Sequence, residues 1–357
     1  MDTKDEQYHL RCINLAYNGL GRVAPNPMVG AILIVDDKII GEGFHSHYGG
    51  VHAEVQAVNH VKDETLLKSS TLLVNLEPCS HYGKTPPCSR MIIDKQIKKV
   101  IIGEIDPFPK VAGKGVKMLQ KANVEVSFGL RRAESRFINR RFFTFHEKKR
   151  PYIILKWAES FDGYMDKIRS ANDPPQWITD TYARILVHKW RTQEQAILVG
   201  TNTVLMDNPQ LTARFYYGKN PIRLILDRNR RLPAHLHIFD PQAPTVIFTR
   251  KPEESKLQHV TYVDIPFHDM PVEILDYCYQ AQIQSVIIEG GSQVLSEFIK
   301  HNLWDEARVF VGDVIFENGI RAPRLPTNPT FTSRLSNATL LYYFNDDWAS
   351  IANIDYL

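Results

Sequence analysis

Short apolar runs that alternate with stretches of helical spacing constrain this chain more than any other feature. VGAILIV (29–35), TLLVNL (71–76), KVIIGE (99–104), AILVG (196–200), IRLILD (222–227), TVIFT (245–249), SVIIEGG (285–291) and ARVFVG (307–312) each read as a strand. Helices are predicted over 5–18, from His52 onward, and over 89–95, 113–122, 180–193, 271–282 and 292–301. Strands alternating with helices give an α/β layer structure, the helices covering the sheet. Gly19 and Gly21 act as stop signals for the first helix. Asp36-Asp37 turns VGAILIV back into KIIGEGF, and VEVSF (124–128) is a further strand. The end of the chain, ATLLYYFNDDWASIANI, reads as a closing antiparallel pair.

At roughly 150 residues per domain, 357 residues suggest two domains. Residues 131–148 look helical and very basic, and Pro151 then precedes a new strand, YIILKWA. The boundary is therefore placed at 146–151, giving domains 1–148 and 149–357. Hydrophobic residues at 43% and charged residues at 23% argue against a largely disordered chain. A formal charge of +3 spread over this length gives no electrostatic case for a nucleic-acid or membrane partner. No apolar run approaches the roughly 20 residues needed to span a bilayer. The polar N-terminus MDTKDEQYHLR lacks the apolar core of a signal peptide, so a cytoplasmic protein is expected. Four cysteines in a chain this long are not a disulfide framework; a close pair in a reducing compartment points to metal binding or chemistry.

The informative residues of the first half are His52, Glu54, Cys79 and Cys88, in VHAEV and LEPCSHYGKTPPCS. Each group opens a predicted helix, where unpaired N–H groups favour the thiolate that binds zinc. One His and two Cys leave one tetrahedral position open, the pattern of a catalytic rather than a structural zinc site. Positions i and i+2 do not share a helix face, so His52 is expected at an irregular helix entry, with Glu54 near the metal but unbound. Such a carboxylate can carry protons from a water whose pKa zinc has lowered to about 7. Cys12 and Cys278 match no motif and read as core or free thiols.

The order H-x-E, then P-C and a second Cys, is the signature of zinc nucleobase deaminases. Here eight residues, not two, separate the cysteines. The loop PCSHYGKTPPC resembles that of the bifunctional riboflavin-biosynthesis deaminase/reductase family, as do PNPMVG (25–30), GEGFHSHYG (41–49) and DPFPKVAGKG (106–115). The resemblance implies a cytidine-deaminase-like α/β/α first domain. It also implies that Asn26, His45, His81 and Lys84 contact the pyrimidine nucleotide and its phosphate.

The second half has no G-x-G-x-x-G after a strand, so a Rossmann fingerprint is absent. A glycine pair does follow SVIIE at a helix start, where backbone N–H groups can meet phosphate. LKWAESFDG (155–163), QWIT (176–179), 188–214 and IEGGSQ (288–293) resemble the reductase domain of the same family. That resemblance implies a dihydrofolate-reductase-like α/β fold and NADPH. By position, Ala158, Trp177, Thr203, Asp207 and the segment Gly291, Ser292, Gln293, Val294, Leu295, Ser296 and Glu297 are implied cofactor contacts. Lys156, Arg191, Leu211, Arg214 and Glu289 are implied substrate contacts; Arg191 and Arg214 suit a ribose phosphate through the paired guanidinium fork. Glu159, Pro175 and Gln195 depart from the family pattern, and Arg228, Arg230 and Arg231 read as a solvated charge run rather than a 2′-phosphate site.

The expected function is two consecutive steps of riboflavin synthesis. The first is zinc-dependent deamination of 2,5-diamino-6-(5-phosphoribosylamino)pyrimidin-4-one; the second is NADPH-dependent reduction of ribosyl to ribityl. The partner is a small pyrimidine ribotide, with no nucleic acid and no membrane, and the family resemblance implies self-association as a dimer or tetramer. Two other readings stand beside it: a deaminase of a nucleoside or tRNA base with a non-reductive second domain, and a structural zinc module closed by a fourth protein ligand. Near-neutral charge weighs against RNA.

Overall fold

The computed structural model describes residues 3–345 apart from 82–85, 110 and 171–172, together with residue 348. The chain divides into two compact units between Lys149 and Arg150. Among the described residues, no helix is long and apolar enough to cross a membrane.

In the first unit the elements run α1 (Thr3–Tyr17), β1 (Gly30–Val35), β2 (Lys38–Phe44), α2 (Ala53–Asn59), β3 (Thr71–Leu76), α3 (Cys88–Asp94), β4 (Lys99–Glu104), α4 (Lys114–Lys121), β5 (Glu125–Phe128), α5 (Arg132–Ile138) and α6 (Arg140–Lys148). The sheet order is β2-β1-β3-β4-β5. β1 is antiparallel to both neighbours, and β3, β4 and β5 are parallel. Period-two alternation sorts β1 onto two cores. Ala31 and Leu33 join Ala53, Ala57, Ile92 and Leu119 on one face, while Ile32 and Ile34 join Cys12 and Leu15 on the other. Burial on both faces explains why β3 and β4 read as unbroken apolar runs.

The helix predicted over 131–148 is two helices, broken at Asn139. The Asn139 amide is committed elsewhere: its Oδ1 accepts the Met28 N–H at 2.7 Å and its Nδ2 donates to the Met28 carbonyl at 2.9 Å.

The second unit contains β6 (Tyr152–Glu159), β7 (Tyr164–Asp166), α7 (Thr181–Gln193), β8 (Ala196–Gly200), α8 (Thr201–Asp207), β9 (Ile222–Leu226), β10 (Thr245–Thr249), β11 (Val260–Asp264), α9 (Met270–Gln280), β12 (Ser285–Gly290), α10 (Ser292–Lys300), β13 (Glu306–Gly312), β14 (Ile320–Arg321), β15 (Phe331–Leu335) and β16 (Ala338–Phe344). Its nine-stranded sheet has the order β11-β10-β9-β8-β12-β6-β13-β16-β15, and β7 pairs with β14 separately. All pairs from β11 to β13 are parallel; β13-β16 and β16-β15 are antiparallel. The ATLLYYF run, β16, lies between β13 and β15 and is antiparallel to both; the downstream half of the expected closing pair lies largely outside the described residues. The run alternates buried and half-buried residues, which fixes its face and leaves a hairpin with β15 across Ser336-Asn337.

Candidate active sites

Two glycines of β2 let α2 lie against the sheet. A Cβ on Gly41 would sit 2.2 Å from the Ala57 carbonyl oxygen, and one on Gly43 would sit 2.3 Å from that of Ala53. This packing sets the start of α2, where His52 is the extended residue preceding the helix (φ −70°, ψ 154°) and Glu54 is in its first turn. Cys88 opens α3, and its backbone N–H donates to the Cys79 sulfur at 3.3 Å.

His52 Nδ1 lies 3.6 Å from Cys79 Sγ and 3.3 Å from Cys88 Sγ, and the three ligand atoms all lie within 4.8 Å of one another. Zinc–sulfur and zinc–nitrogen bonds of about 2.3 and 2.0–2.1 Å at tetrahedral angles place S and N about 3.6 Å apart. The residues present therefore fit zinc with three protein ligands. Among the described residues this is the one His/Cys/Asp/Glu cluster of that geometry. Of the two thiols, Cys79 is the one held low. Hydrogen bonding from the Cys88 thiol holds its pKa far below the ordinary thiol against the cost of burial, and His52 adds to the effect. Cys88, beside that sulfur and buried, is pushed up. His52 is raised to about 9, chiefly by its bond to Cys79.

Glu54 is 3% exposed, and burial pushes its carboxyl above the ordinary range, with Cys79 adding in the same direction. A buried carboxyl whose proton affinity is raised, beside a metal site, is suited to receive and return a proton. His45 Nε2 pairs with the Asn26 amide at 3.1 Å, its Nδ1 lies 3.1 Å from the Val51 carbonyl, and its ring meets that of His52 at 5.6 Å. Burial lowers the His45 pKa, so it presents a neutral imidazole. His45 thus stands beside His52 and holds Asn26; His81 is exposed, and Lys84 lies outside the described residues.

Glu77 was not singled out from the sequence. It is buried, and its carboxylate accepts four backbone N–H groups: Gly115 at 2.8 Å and Val116 at 3.2 Å on Oε1, Gly113 at 2.8 Å and Asp106 at 3.3 Å on Oε2. Gly115 approaches so closely that a Cβ there would lie 2.2 Å from the Pro78 carbonyl. Glu77 thereby ties DPFPKVAGKG to the Pro78-Cys79 corner. The available signal was an acidic residue directly before that corner, with a glycine-bounded helix start downstream.

In the second unit Glu289, at the end of β12, is the hub. Arg191 holds it through Nε and Nη2 at 2.8 and 2.7 Å, and Lys156 Nζ approaches to 3.7 Å. Burial alone would raise the Glu289 carboxyl, but Arg191 and Lys156 bring it down to about 2. Lys156 is lowered, mainly by burial. The Arg191 fork that the sequence assigned to a phosphate is thus engaged by Glu289, and its Nη1 donates to the Thr212 carbonyl at 3.0 Å. Leu211 is buried in a left-handed conformation (φ 56°), and Arg214 is exposed over the Phe215 ring.

Gly291 precedes α10, and a Cβ on it would lie 3.2 Å from Thr203 Oγ1, so β12–α10 and α8 converge there. Val294 and Leu295 turn into the core, which leaves only their backbone for a ligand. Ser292 Oγ donates to the Arg321 carbonyl at 2.8 Å, Gln293 and Ser296 are exposed, and Glu297 faces Lys300 and His301. Asp207 is paired with Arg169, which also holds Asp166 at 2.8 Å. Trp177 is 62% exposed, and Ala158 is half-buried on β6. Of the departures, Glu159 accepts from Trp157 Nε1 at 2.7 Å, Gln195 Oε1 accepts the Gln284 N–H at 2.6 Å, and Pro175 is exposed. Arg230 pairs with Glu253, in keeping with a solvated charge run.

Residues 2–104 match the cytidine and deoxycytidylate deaminase zinc-binding region, and residues 151–342 match the RibD C-terminal domain. The riboflavin biosynthesis protein RibD of Aquifex aeolicus is 37% identical over 88% of this chain and 89% of its own. The RibD protein of Bacillus amyloliquefaciens is 38% identical, with 92% and 90% covered. A solved diaminohydroxyphosphoribosylaminopyrimidine deaminase/5-amino-6-(5-phosphoribosylamino)uracil reductase from Thermotoga maritima superposes with a TM-score of 0.85 at 38% identity, covering 95% of this chain and 98% of that one. Acinetobacter baumannii RibD gives 0.85 at 32% identity, covering 96% and 98%.

Proposed function

The chain belongs to the RibD family of riboflavin-biosynthesis proteins, and on that premise we propose how its own residues divide two reactions. It is a bifunctional enzyme, a hydrolytic deaminase and a reductase acting in riboflavin biosynthesis. A nucleoside or tRNA-base deaminase with a non-reductive appendage is disfavoured, because the RibD C-terminal match runs over 151–342.

In the first unit, His52, Cys79 and Cys88 would hold zinc. Zinc bound there would supply Lewis-acid chemistry that makes a water easier to deprotonate at neutral pH. Asn26 and His45 orient the pyrimidine of 2,5-diamino-6-(5-phosphoribosylamino)pyrimidin-4-one, and His81 and Lys84 serve its phosphate. Glu54 takes a proton from the attacking water and delivers it to the ring nitrogen, then carries the remaining hydroxyl proton to the amine, which departs as ammonia. Water adds, ammonia leaves, and the carbon that bore the amine becomes a carbonyl.

In the second unit, Ala158, Trp177, Thr203, Asp207 and the backbone of Gly291–Glu297 would hold NADPH, which would supply the hydride that reduces the ribosyl group to ribityl, with the ring oxygen released taking a proton. Lys156, Leu211, Arg214 and Glu289 line the substrate side, and Arg191 holds Glu289 in place. Here positioning contributes more than any strong acid–base group.

The tetrahedral spacing of one nitrogen and two sulfurs beside a buried glutamate carries this reading. The test is ammonia release from the diaminopyrimidine ribotide by zinc-loaded protein, followed by NADPH oxidation that depends on the deaminated product. Absence of ammonia with zinc bound overturns the deaminase assignment; ammonia without NADPH oxidation overturns the reductase assignment.

A further inference from the structure

Helix α7 carries Arg184, His188 and Arg191 at positions i, i+4 and i+7, which share one face. That face meets the segment after Leu211. Arg191 donates to the Thr212 carbonyl, His188 Nδ1 accepts the Phe215 N–H at 3.4 Å, and the Arg184 guanidinium lies 4.5 Å from the Phe215 ring centroid. Arg214 lies 5.1 Å from the same ring, and Arg184 is also 5.4 Å from the Trp177 ring. Two aromatic rings thus fix the Arg184 guanidinium, a contact suited to a flat, weakly hydrated cation.

The three arginines differ in what they hold. Arg191 spends its fork on Glu289. Arg184 and Arg214 have no carboxylate partner among the described residues, and Arg184 Nε is buried with no acceptor. A buried donor without an acceptor is rare in native structures and marks a place for a water or a ligand. His188 adds no charge, since burial and the neighbouring arginines hold its pKa at about 4. Arg184, Arg191 and Arg214 thus crowd around His188, and Glu289, which Arg191 and Lys156 hold, is the one carboxylate that acts on that histidine. The uncompensated charge matches a phosphate dianion, and guanidinium gives the directed N–H groups that bind one.

We propose that Arg184 is a phosphate-binding residue of the reductase, clamping the substrate's 5-phosphate together with Arg214, while Arg191 positions Glu289. The assignment rests on the reading of the second unit as a ribotide reductase. Arg184 lies outside the segments that carry the family resemblance, and its i, i+4, i+7 spacing with His188 and Arg191 is the signal for it in the sequence.

The test uses full-length, zinc-loaded wild-type, Arg184→Met and Arg184→Lys proteins. NADPH oxidation is followed with 5-amino-6-(5-phosphoribosylamino)uracil and with its dephosphorylated counterpart, and inorganic phosphate is titrated as a competitive inhibitor. Charge-assisted bonds of this kind predict a roughly ten- to hundredfold rise in KM for the phosphorylated compound in Arg184→Met. Its kcat stays within about threefold, and the preference over the dephosphorylated compound is largely lost. The inhibition constant for phosphate rises by a similar factor, and Arg184→Lys recovers part of both. Thermal midpoints are compared so that misfolding is recognised, and the Lys variant keeps the test decisive if the Met variant unfolds. Wild-type activity with an unchanged preference in both variants overturns the assignment alone. A wild-type protein that turns over neither compound overturns the reductase reading and this assignment with it.

Discussion

Glu77→Gln isolates one buried carboxylate with a countable set of bonds. Glu77 is 4% exposed, and each of its oxygens accepts two backbone N–H groups. Glutamine keeps one acceptor oxygen and turns an NH2 group toward the other two donors. Two bonds to a charged acceptor, each worth about 1.5–3 kcal/mol, are lost, and two N–H groups are left facing a donor. The removed cost of burying a charge offsets part of this, so the net loss is about 3 kcal/mol. Against a typical domain stability of about 5–15 kcal/mol, that is a large fraction. Because the same contact ties α4 to the Pro78-Cys79 corner, zinc affinity should fall roughly ten- to hundredfold, as for other residues that orient metal ligands. Urea unfolding of the first unit, followed by circular dichroism and paired with competitive zinc titration, reads both quantities. A stability loss under about 1 kcal/mol with unchanged zinc affinity would refute the reasoning.

Two further perturbations separate chemistry from structure. Glu54→Gln should retain one zinc per chain by elemental analysis yet lose deamination by at least about a hundredfold, the usual contribution of a positioned proton carrier; retained ammonia release contradicts the role. Glu289 has a folded-state pKa of about 2 against an ordinary 4.5, so its stabilisation is present above about pH 4.5 and is lost as pH falls toward 2. The gap in unfolding free energy between wild type and Glu289→Gln should therefore be about 3 kcal/mol larger at pH 7 than near pH 2, and a pH-independent gap refutes the ion-pair account.

Strands buried on both faces were the most legible part of the fold, because an unbroken apolar run such as TLLVNL has few alternatives. Edge strand β11 escaped notice because only Val260 in it is buried and its pattern is mixed. Helix α8 did too: TNTVLMD has one buried residue, Val204, and no stripe. At the break between α5 and α6, Asn139 is bonded to Met28, 111 residues away, a contact that local spacing cannot register. At the deaminase site the residue types alone pointed to His52, Glu54, Cys79 and Cys88, since zinc chemistry restricts ligands so tightly. Glu77 and Arg184 were hidden for the opposite reason. Buried carboxylates and stacked guanidiniums acquire their roles from neighbours that the sequence holds far apart.

Zinc K-edge X-ray absorption on the loaded protein bears most directly on the metal site. Two sulfurs at about 2.3 Å, one imidazole nitrogen at about 2.0–2.1 Å and one exchangeable light-atom ligand are predicted. A shell closed by four protein ligands, or one without sulfur, contradicts the account.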